Sequence, residues 1–157
     1  MNIFFLDYDP TRAAKMHNDR HCVKMILESA QMLSTVCREN GADAGYKPCF
    51  RNHPCTKWAG ESQANFEWLR QLALALNEEY KRRFDNDDDH KSAVVIRNLP
   101  TPDLPKRGLT SPAQAMPDSC KHDDPVKAYR EYYRTEKRHL AEWSGRKAPE
   151  FMESSHG

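Results

Sequence analysis

Through the segment 11–39 the apolar residues Val23, Ile26, Ala30, Leu33 and Cys37, joined by Leu27, recur at helical steps, which gathers them on one side of an α-helix. Beside them runs a second row, His17, His21, Lys24, Glu28 and Gln31, spaced four, three, four and three residues apart. A segment that carries both rows is constrained to an amphipathic helix that packs one and presents the other. An ordinary wet face would use Lys, Glu, Ser and Asp interchangeably. Two imidazoles, an ammonium, a carboxylate and an amide in register have the composition of a chemical site, because titratable clusters mark such sites. The alternative is a solvated face with two incidental histidines.

The punctuation around this helix is consistent with it. Asn2 to Tyr8 suits a short extended segment, and Asp9-Pro10-Thr11 opens a helix expected from about Thr11 to Glu39, closed by Asn40-Gly41. A loop then runs through Tyr46, Phe50 and Arg51 to Asn52-His53-Pro54. Trp58, Ser62, Phe66, Leu69, Leu72, Leu76 and Tyr80 mark a second helix ending near Phe84, with Lys81, Arg82 and Arg83 at its exposed end. The run Asp85, Asn86, Asp87, Asp88, Asp89 reads as a solvated acidic turn, since it lacks the glycine and terminal glutamate of a calcium loop. Ser92 to Leu99 is apolar and of ambiguous type. Pro100, Pro102, Pro105, Pro112 and Pro117 forbid a long regular element over that stretch, which suits a structured loop over a site. Asp124 as N-cap and Pro125 in the first turn start a third helix with the row Val126, Tyr129, Tyr133, Leu140 and Trp143, stopped by Gly145. The expected fold is mainly α: a single compact domain, 1–148, of about three long helices with irregular Pro-rich loops and an extended N-terminal segment, followed by a flexible tail, 149–157.

With 157 residues, 38% hydrophobic and 30% charged, the chain can bury one genuine core. The formal net charge of +1 means that any phosphate-binding surface must be a local concentration of cations. No apolar stretch approaches the ~20 residues of a membrane span, so a cytoplasmic protein without membrane contact is expected. Five cysteines at irregular spacing, without a CxxC pair, argue against a disulfide scaffold or zinc ribbon. Cys22 and Cys37 read as small core residues; Cys49 and Cys55 bracket His53, and a metal site there stays open. His17 and His21 also have metal-ligand spacing, but Arg20 between them opposes a cation.

Two further constellations carry possible chemistry. Tyr129, Arg130, Tyr132, Tyr133, Arg134, Lys137 and Arg138 interleave rings with cations, which suits stacking on bases and gripping phosphates, or an amphipathic core helix with an Arg-rich outer face. His53 before Pro54 stands at a helix start, where it can donate to an anion or simply cap the loop.

Asp19-Arg20-His21 with Glu28 seven residues after the histidine resembles the first helix of the phage pyrimidine-dimer DNA glycosylases of the endonuclease V type. Asn52-His53, Phe66-Glu67-Trp68-Leu69-Arg70 and Lys81-Arg82-Arg83-Phe84 are similar to that family's second long helix, and Tyr129 to Tyr133 to its aromatic, lysine-containing C-terminal segment. Ala115 to Asp118 and Asp124 to Tyr129 resemble motifs of small phage proteins that carry the same glycosylase name. The likeness spans about half the chain. It implies that the chain's α-amine attacks the anomeric carbon of the damaged nucleotide, expelling the base and leaving an imine. Glu28 would then stabilise the sugar cation and assist the β-elimination that nicks the strand. The family has a small residue after the initiator methionine, which is removed to expose a threonine amine. Here Asn2 predicts retention, so the attacking amine is that of Met1 or the imine chemistry is absent, leaving Glu28 to guide water.

The resulting expectation is a DNA-processing enzyme, in the cytoplasm of an infected bacterium if the phage likeness holds, needing no metal or organic cofactor. Glu28, Met1 and His21 are its catalytic candidates. His17, Lys24 and Gln31 line the same cleft, and Arg51, His53, Arg130 and Arg134 are candidate phosphate contacts. Tyr129 and Tyr133 are candidates for stacking, and the loop Gln114 to Asp118 for closing over an extruded nucleotide. Two alternatives stand beside it: a non-enzymatic protein binding nucleic acid or a host factor, and an enzyme of small nucleotides. The oligomeric state is not legible.

Overall fold

Asp9 accepts from the backbone N–H groups of Thr11 and Arg12 and so starts the first helix, with Pro10 preset for its first turn. In the computed structural model, which describes residues 1–153, that helix ends after seven residues. We designate the helices α1 (Pro10–Met16), α2 (Asp19–Glu39), α3 (Pro54–Glu61), α4 (Gln63–Arg83), α5 (Lys91–Arg97) and α6 (Pro125–Thr135). Short 3-10 turns follow at Asp118–Cys120, Arg138–Leu140 and Glu150–Glu153, and there is no strand among the described residues. None of these helices is long and apolar enough to cross a membrane.

The expected three long helices are corrected to six, and each division has a local cause. The helix anticipated over 11–39 breaks at His17-Asn18. Asn18 takes extended backbone and caps α2 by accepting from His21 N–H, while Arg83 donates to the carbonyls of Lys15 and His17. A continuing helix would need those carbonyls for itself. The row from Trp58 to Tyr80 likewise divides at Ser62, which caps α4 through Asn65 N–H, while Gln63 N–H donates to Pro105 O. The ambiguous segment 92–99 is largely helical, within α5. The third helix stops at Thr135 instead of reaching Gly145, because the chain turns back to seat residues 142–146 on the start of α2. Asp19 N–H donates to Glu142 O, and Ser144 and Trp143 donate to Asp19 and to Met16 O.

The core lies where α2 crosses α4, flanked by α1, α3 and α5. Within α2 the buried face is Cys22, Met25, Ile26, Ala30, Met32, Leu33, Val36 and Cys37, which keeps Ile26, Ala30, Leu33 and Cys37 of the expected apolar row, while Val23 is half-buried and Leu27 exposed. Ile3, Phe4, Phe5 and Leu6 thread extended through this core, Phe5 stacking on Trp68 at 4.2 Å. Burial pushes the Cys22 thiol up to about 12 and the Cys37 thiol up to about 11, so both are inert apolar residues. At the α4 end Arg83 is buried, contrary to its expected exposure. In the acidic turn Asp89 accepts from Asn77, Lys81 and Arg97 and is held well below the usual carboxylate range, while Asp85, Asp87 and Asp88 are exposed. The expected flexible tail begins within the described residues, where Met152 is buried and Phe151 O accepts from Arg134; residues 154–157 lie outside them.

After α2 the chain passes Gly41 (φ +91°) and returns along the helix through Gly45 (φ +74°). A Cβ at Gly45 would overlap Ser34 Oγ and come within 2.7 Å of Leu99 Cδ2. Gly45→Ala is therefore expected to destabilise the fold by about 1–3 kcal/mol, from positive φ and crowding together. Thermal unfolding measures this, and an unchanged midpoint would show that the loop moves freely.

Candidate functional site

Because the extended N-terminal segment runs through the core, its first residue emerges beside α2. The α-amine of Met1 lies 3.5 Å from Glu28 Oε1, and Lys24 Nζ, one turn earlier on α2, lies 3.7 Å from Glu28 Oε2. The Glu28 side chain is only 10% exposed and that of Met1 3%, whereas Lys24 is open to solvent at 56%. Oε1 has no aligned hydrogen bond within the fold. A buried carboxylate without a full set of donors is costly for stability alone. These groups form the wall of a small cleft of about 100 Å³ completed by Asn2, Phe4, His21, Met25, Tyr132 and Lys137.

His21 has a defined tautomer. Asn18 Oδ1 accepts from His21 N–H, which turns the Asn18 NH2 toward His21 Nδ1 at 3.4 Å, and the Tyr133 hydroxyl, which accepts from Asn18 N–H at 3.3 Å, lies 2.7 Å from the same ring nitrogen. Nδ1 therefore accepts, and the ring proton sits on Nε2. Phe4 stacks on the ring at 4.1 Å. Burial, with the nearby His17 and the cations Lys137, Lys24 and Arg20, pushes the His21 pKa down to about 2, so the imidazole is neutral. It can donate one hydrogen bond, but it is not a proton shuttle near neutral pH.

His17 does not share this face. It ends α1, is fully buried, and its Nδ1 meets Ala13 O at 2.6 Å while Nε2 has no partner. Burial lowers its pKa to about 4. The five-residue stripe is thus corrected to Lys24, Glu28 and His21 at the cleft, with Gln31 half-buried one turn beyond.

The two histidines have a measurable consequence. Both bind fewer protons folded than unfolded between their depressed values and the ordinary 6.5. Stability is then full above about pH 6.5 and falls as the pH drops toward 4, with a slope approaching ~1.4 kcal/mol per pH unit for each imidazole. Urea midpoints at several pH values in this window test it; a constant midpoint would contradict the burial of uncharged rings.

Several expected phosphate contacts are engaged inside the chain. Arg130 donates to Leu6 O and pairs with Asp7, and Arg134 donates to Phe151 O and pairs with Glu131. Arg51 is 60% exposed and pairs with Glu39. Gln114 turns to His122, donating to its carbonyl and accepting from its N–H. Tyr129 is fully buried, its hydroxyl 2.6 Å from Ala113 O and 2.8 Å from Asn2 Oδ1, while Asn2 donates to Ala115 O. Tyr129 and the loop at 113–115 therefore brace Asn2 and, through it, the position of the amine. His53 caps α3 by accepting Cys55 N–H at Nδ1, and burial together with the adjacent α-amine lowers its pKa.

Sequence reasoning did not single out Phe4 or Met25 for the cleft and named Tyr132 and Lys137 only within a longer string of rings and cations. Lys137 Nζ stands 5.2 Å from the centre of the Tyr132 ring. The only signal was the interleaved aromatic and basic string on α6, in which every Tyr, Arg and Lys looked equivalent. Folding buries Tyr129 and Tyr133, employs Arg130 and Arg134 internally, and leaves Tyr132 with Lys137 at the opening.

A family model described as pyrimidine dimer DNA glycosylase matches residues 1–92, which include the extended segment, α1 to α4, the Met1 amine and Glu28. No curated protein and no solved structure matches the chain. Because the matched region is more than half of the chain and carries both members of the buried amine–carboxylate pair, the chain belongs to the pyrimidine dimer DNA glycosylase family.

Proposed function

We propose that the protein releases a damaged pyrimidine from DNA and then nicks the strand, with the Met1 α-amine as nucleophile and Glu28 as the carboxylate that serves both steps. The observation that carries this reading is the amine held 3.5 Å from a buried glutamate in a cleft. The amine nitrogen forms a bond to C1′ as the glycosidic C–N bond breaks, and the base leaves with that electron pair and takes up a proton. Negative charge on Glu28 offsets the positive charge that develops on the sugar, in surroundings where water screens it poorly. Loss of the amine protons and opening of the sugar give an imine. Removal of a C2′ proton then expels the 3′ phosphate, and Glu28 is the nearest base to the amine.

The remaining cleft residues have supporting roles in this scheme. Neutral His21 donates from Nε2, Lys24 and Lys137 attract the phosphates beside the lesion, and Tyr132 offers a ring face to the extruded nucleotide. Borohydride reduction during reaction with dimer-containing duplex is expected to leave a stable protein–DNA adduct whose DNA-bearing peptide contains Met1. Acetylating the α-amine is expected to abolish the adduct. Base release without any trapped species would replace the amine by an activated water, and intact dimer DNA after prolonged incubation would remove the reading altogether.

A further inference from the structure

A second recess shares no residue with the cleft. Its volume is about 250 Å³, and Arg12, Lys15, Met16, Arg146, Lys147 and Pro149 line it. Four of these are cations and none is acidic, in a chain whose formal net charge is only +1. Arg146 is committed to Glu79, which also holds Arg83. Arg12, Lys15 and Lys147 are exposed, and no acceptor among the described residues engages their side chains.

Distant parts of the chain bring these charges together. Arg12 and Lys15 stand three residues apart on one side of α1, which buries Ala13 and Ala14 on the other. Arg146 and Lys147 follow Gly145, whose φ of +62° turns the chain. That segment is fixed in place: Trp143 Nε1 donates to Met16 O, Ser144 donates to Asp19, and Arg146 donates to both carboxylate oxygens of Glu79. Like charges gathered in this way repel, and an anion seated among them converts the repulsion to attraction.

The recess lies past the end of α2 that leads away from the cleft. Lys24 at the cleft and Arg20, one turn earlier, share a side of α2 and are both exposed. From Glu28 back to Asp19, where Ser144 is seated, the helix rises about 14 Å. Phosphates of one strand succeed one another every ~3.4 Å of duplex axis, so the recess stands about four or more nucleotides from Glu28. Exposed cations without a buried donor do not select one small anion; they gain by meeting successive phosphates and releasing counterions.

We propose that this recess is a second phosphate-backbone site, where Arg12, Lys15, Arg146 and Lys147 hold the duplex several nucleotides from the reacting sugar. Only the partner, DNA, rests on the glycosylase reading.

The test is the triple variant Arg12→Gln/Lys15→Gln/Lys147→Gln, which keeps Arg146 with Glu79 and should melt with the parent. On a dimer-containing duplex of about 25 base pairs it is expected to bind about tenfold or more weakly at low salt, with the slope of log Kd against log salt smaller in magnitude by about 2 to 3. Its single-turnover cleavage at saturating protein should stay within about twofold of the parent's, because no residue of the cleft is altered. Uncharged methylphosphonate linkages about four to eight nucleotides from the dimer, on one side or the other, should weaken the parent and leave the variant unchanged. Parent-like affinity and slope in the variant would overturn the site. Equal weakening of both proteins by the uncharged linkages, on either side, would overturn it too, since the cations would then act only as diffuse charge. A parent that binds duplex with the steeper slope but never cleaves the dimer would remove the glycosylase reading and uphold the recess as a DNA site.

Discussion

Glu28→Gln is expected to slow release of the damaged base by about a thousandfold while leaving DNA binding and the fold in place. The amide has the volume of the carboxylate and fits the same pocket, so Phe4, His21 and Met25 keep their packing. What it loses is the negative charge 3.5 Å from the amine, the charge that would face the developing sugar cation. The buried Met1 amine keeps an oxygen acceptor in the amide but loses its counter-charge, so unfolding free energy is expected to fall by about 1–3 kcal/mol with the fold intact. Single-turnover rates on dimer-containing duplex, taken with thermal unfolding, separate the two effects. A variant that turns over at the parent rate would take Glu28 out of the mechanism.

Arg83→Leu is expected to have the largest effect on stability, about 3–5 kcal/mol, out of a total of the order of 5–15 kcal/mol for a domain of this kind. Its side chain is 1% exposed and donates to His17 O at 2.7 Å and Lys15 O at 3.0 Å, besides meeting Asp19 and Glu79. Removing it would leave Glu79 with only Arg146 and Asp19 with only the Ser144 donors, and would take this donor from two helix-end carbonyls. Arg83→Lys should recover only a fraction, because one ammonium cannot reach a fork of four acceptors. Urea denaturation measures both variants. A loss below ~1 kcal/mol for the leucine would show that water or another cation takes over the cluster.

These two residues also mark how far the sequence can be read. Glu28 stands out because the helical step from His21 and Lys24 is a local property, and α2 preserves it. The end of α2 at Asn40-Gly41, the Asp9 cap of α1 and the Asp124-Pro125 start of α6 are equally legible, each being a contact between residues adjacent in the chain. Arg83, by contrast, looks like one of three equivalent cations at an exposed helix end. Nothing near it in sequence says that it will reach back across 66 residues to a carbonyl in another helix.

The same distinction separates the cations that remain at the cleft from those that do not. Arg130 and Arg134 have the residue type and spacing of phosphate contacts, yet Leu6 O, Asp7, Glu131 and Phe151 O engage them. Lys137 lies just past the end of α6, where the chain turns toward Asp19, and that turn is what brings it to the opening. An ammonium or guanidinium has no preference in sequence between an internal acceptor and a solvent-facing one; the choice is made by which elements come within reach.

Periodicity and capping chemistry, which act over one or two turns, determined by themselves that this chain is helical, where α1, α3 and α6 begin, and that one carboxylate sits among basic residues. Only the tertiary structure decided that the helix over 11–39 would divide at His17, that the first residue would arrive beside Glu28, and that Asn2 and Tyr129 would brace it there. The reason is physical: a backbone carbonyl or buried charge takes the best partner the whole fold offers, and that partner is set by packing of distant segments.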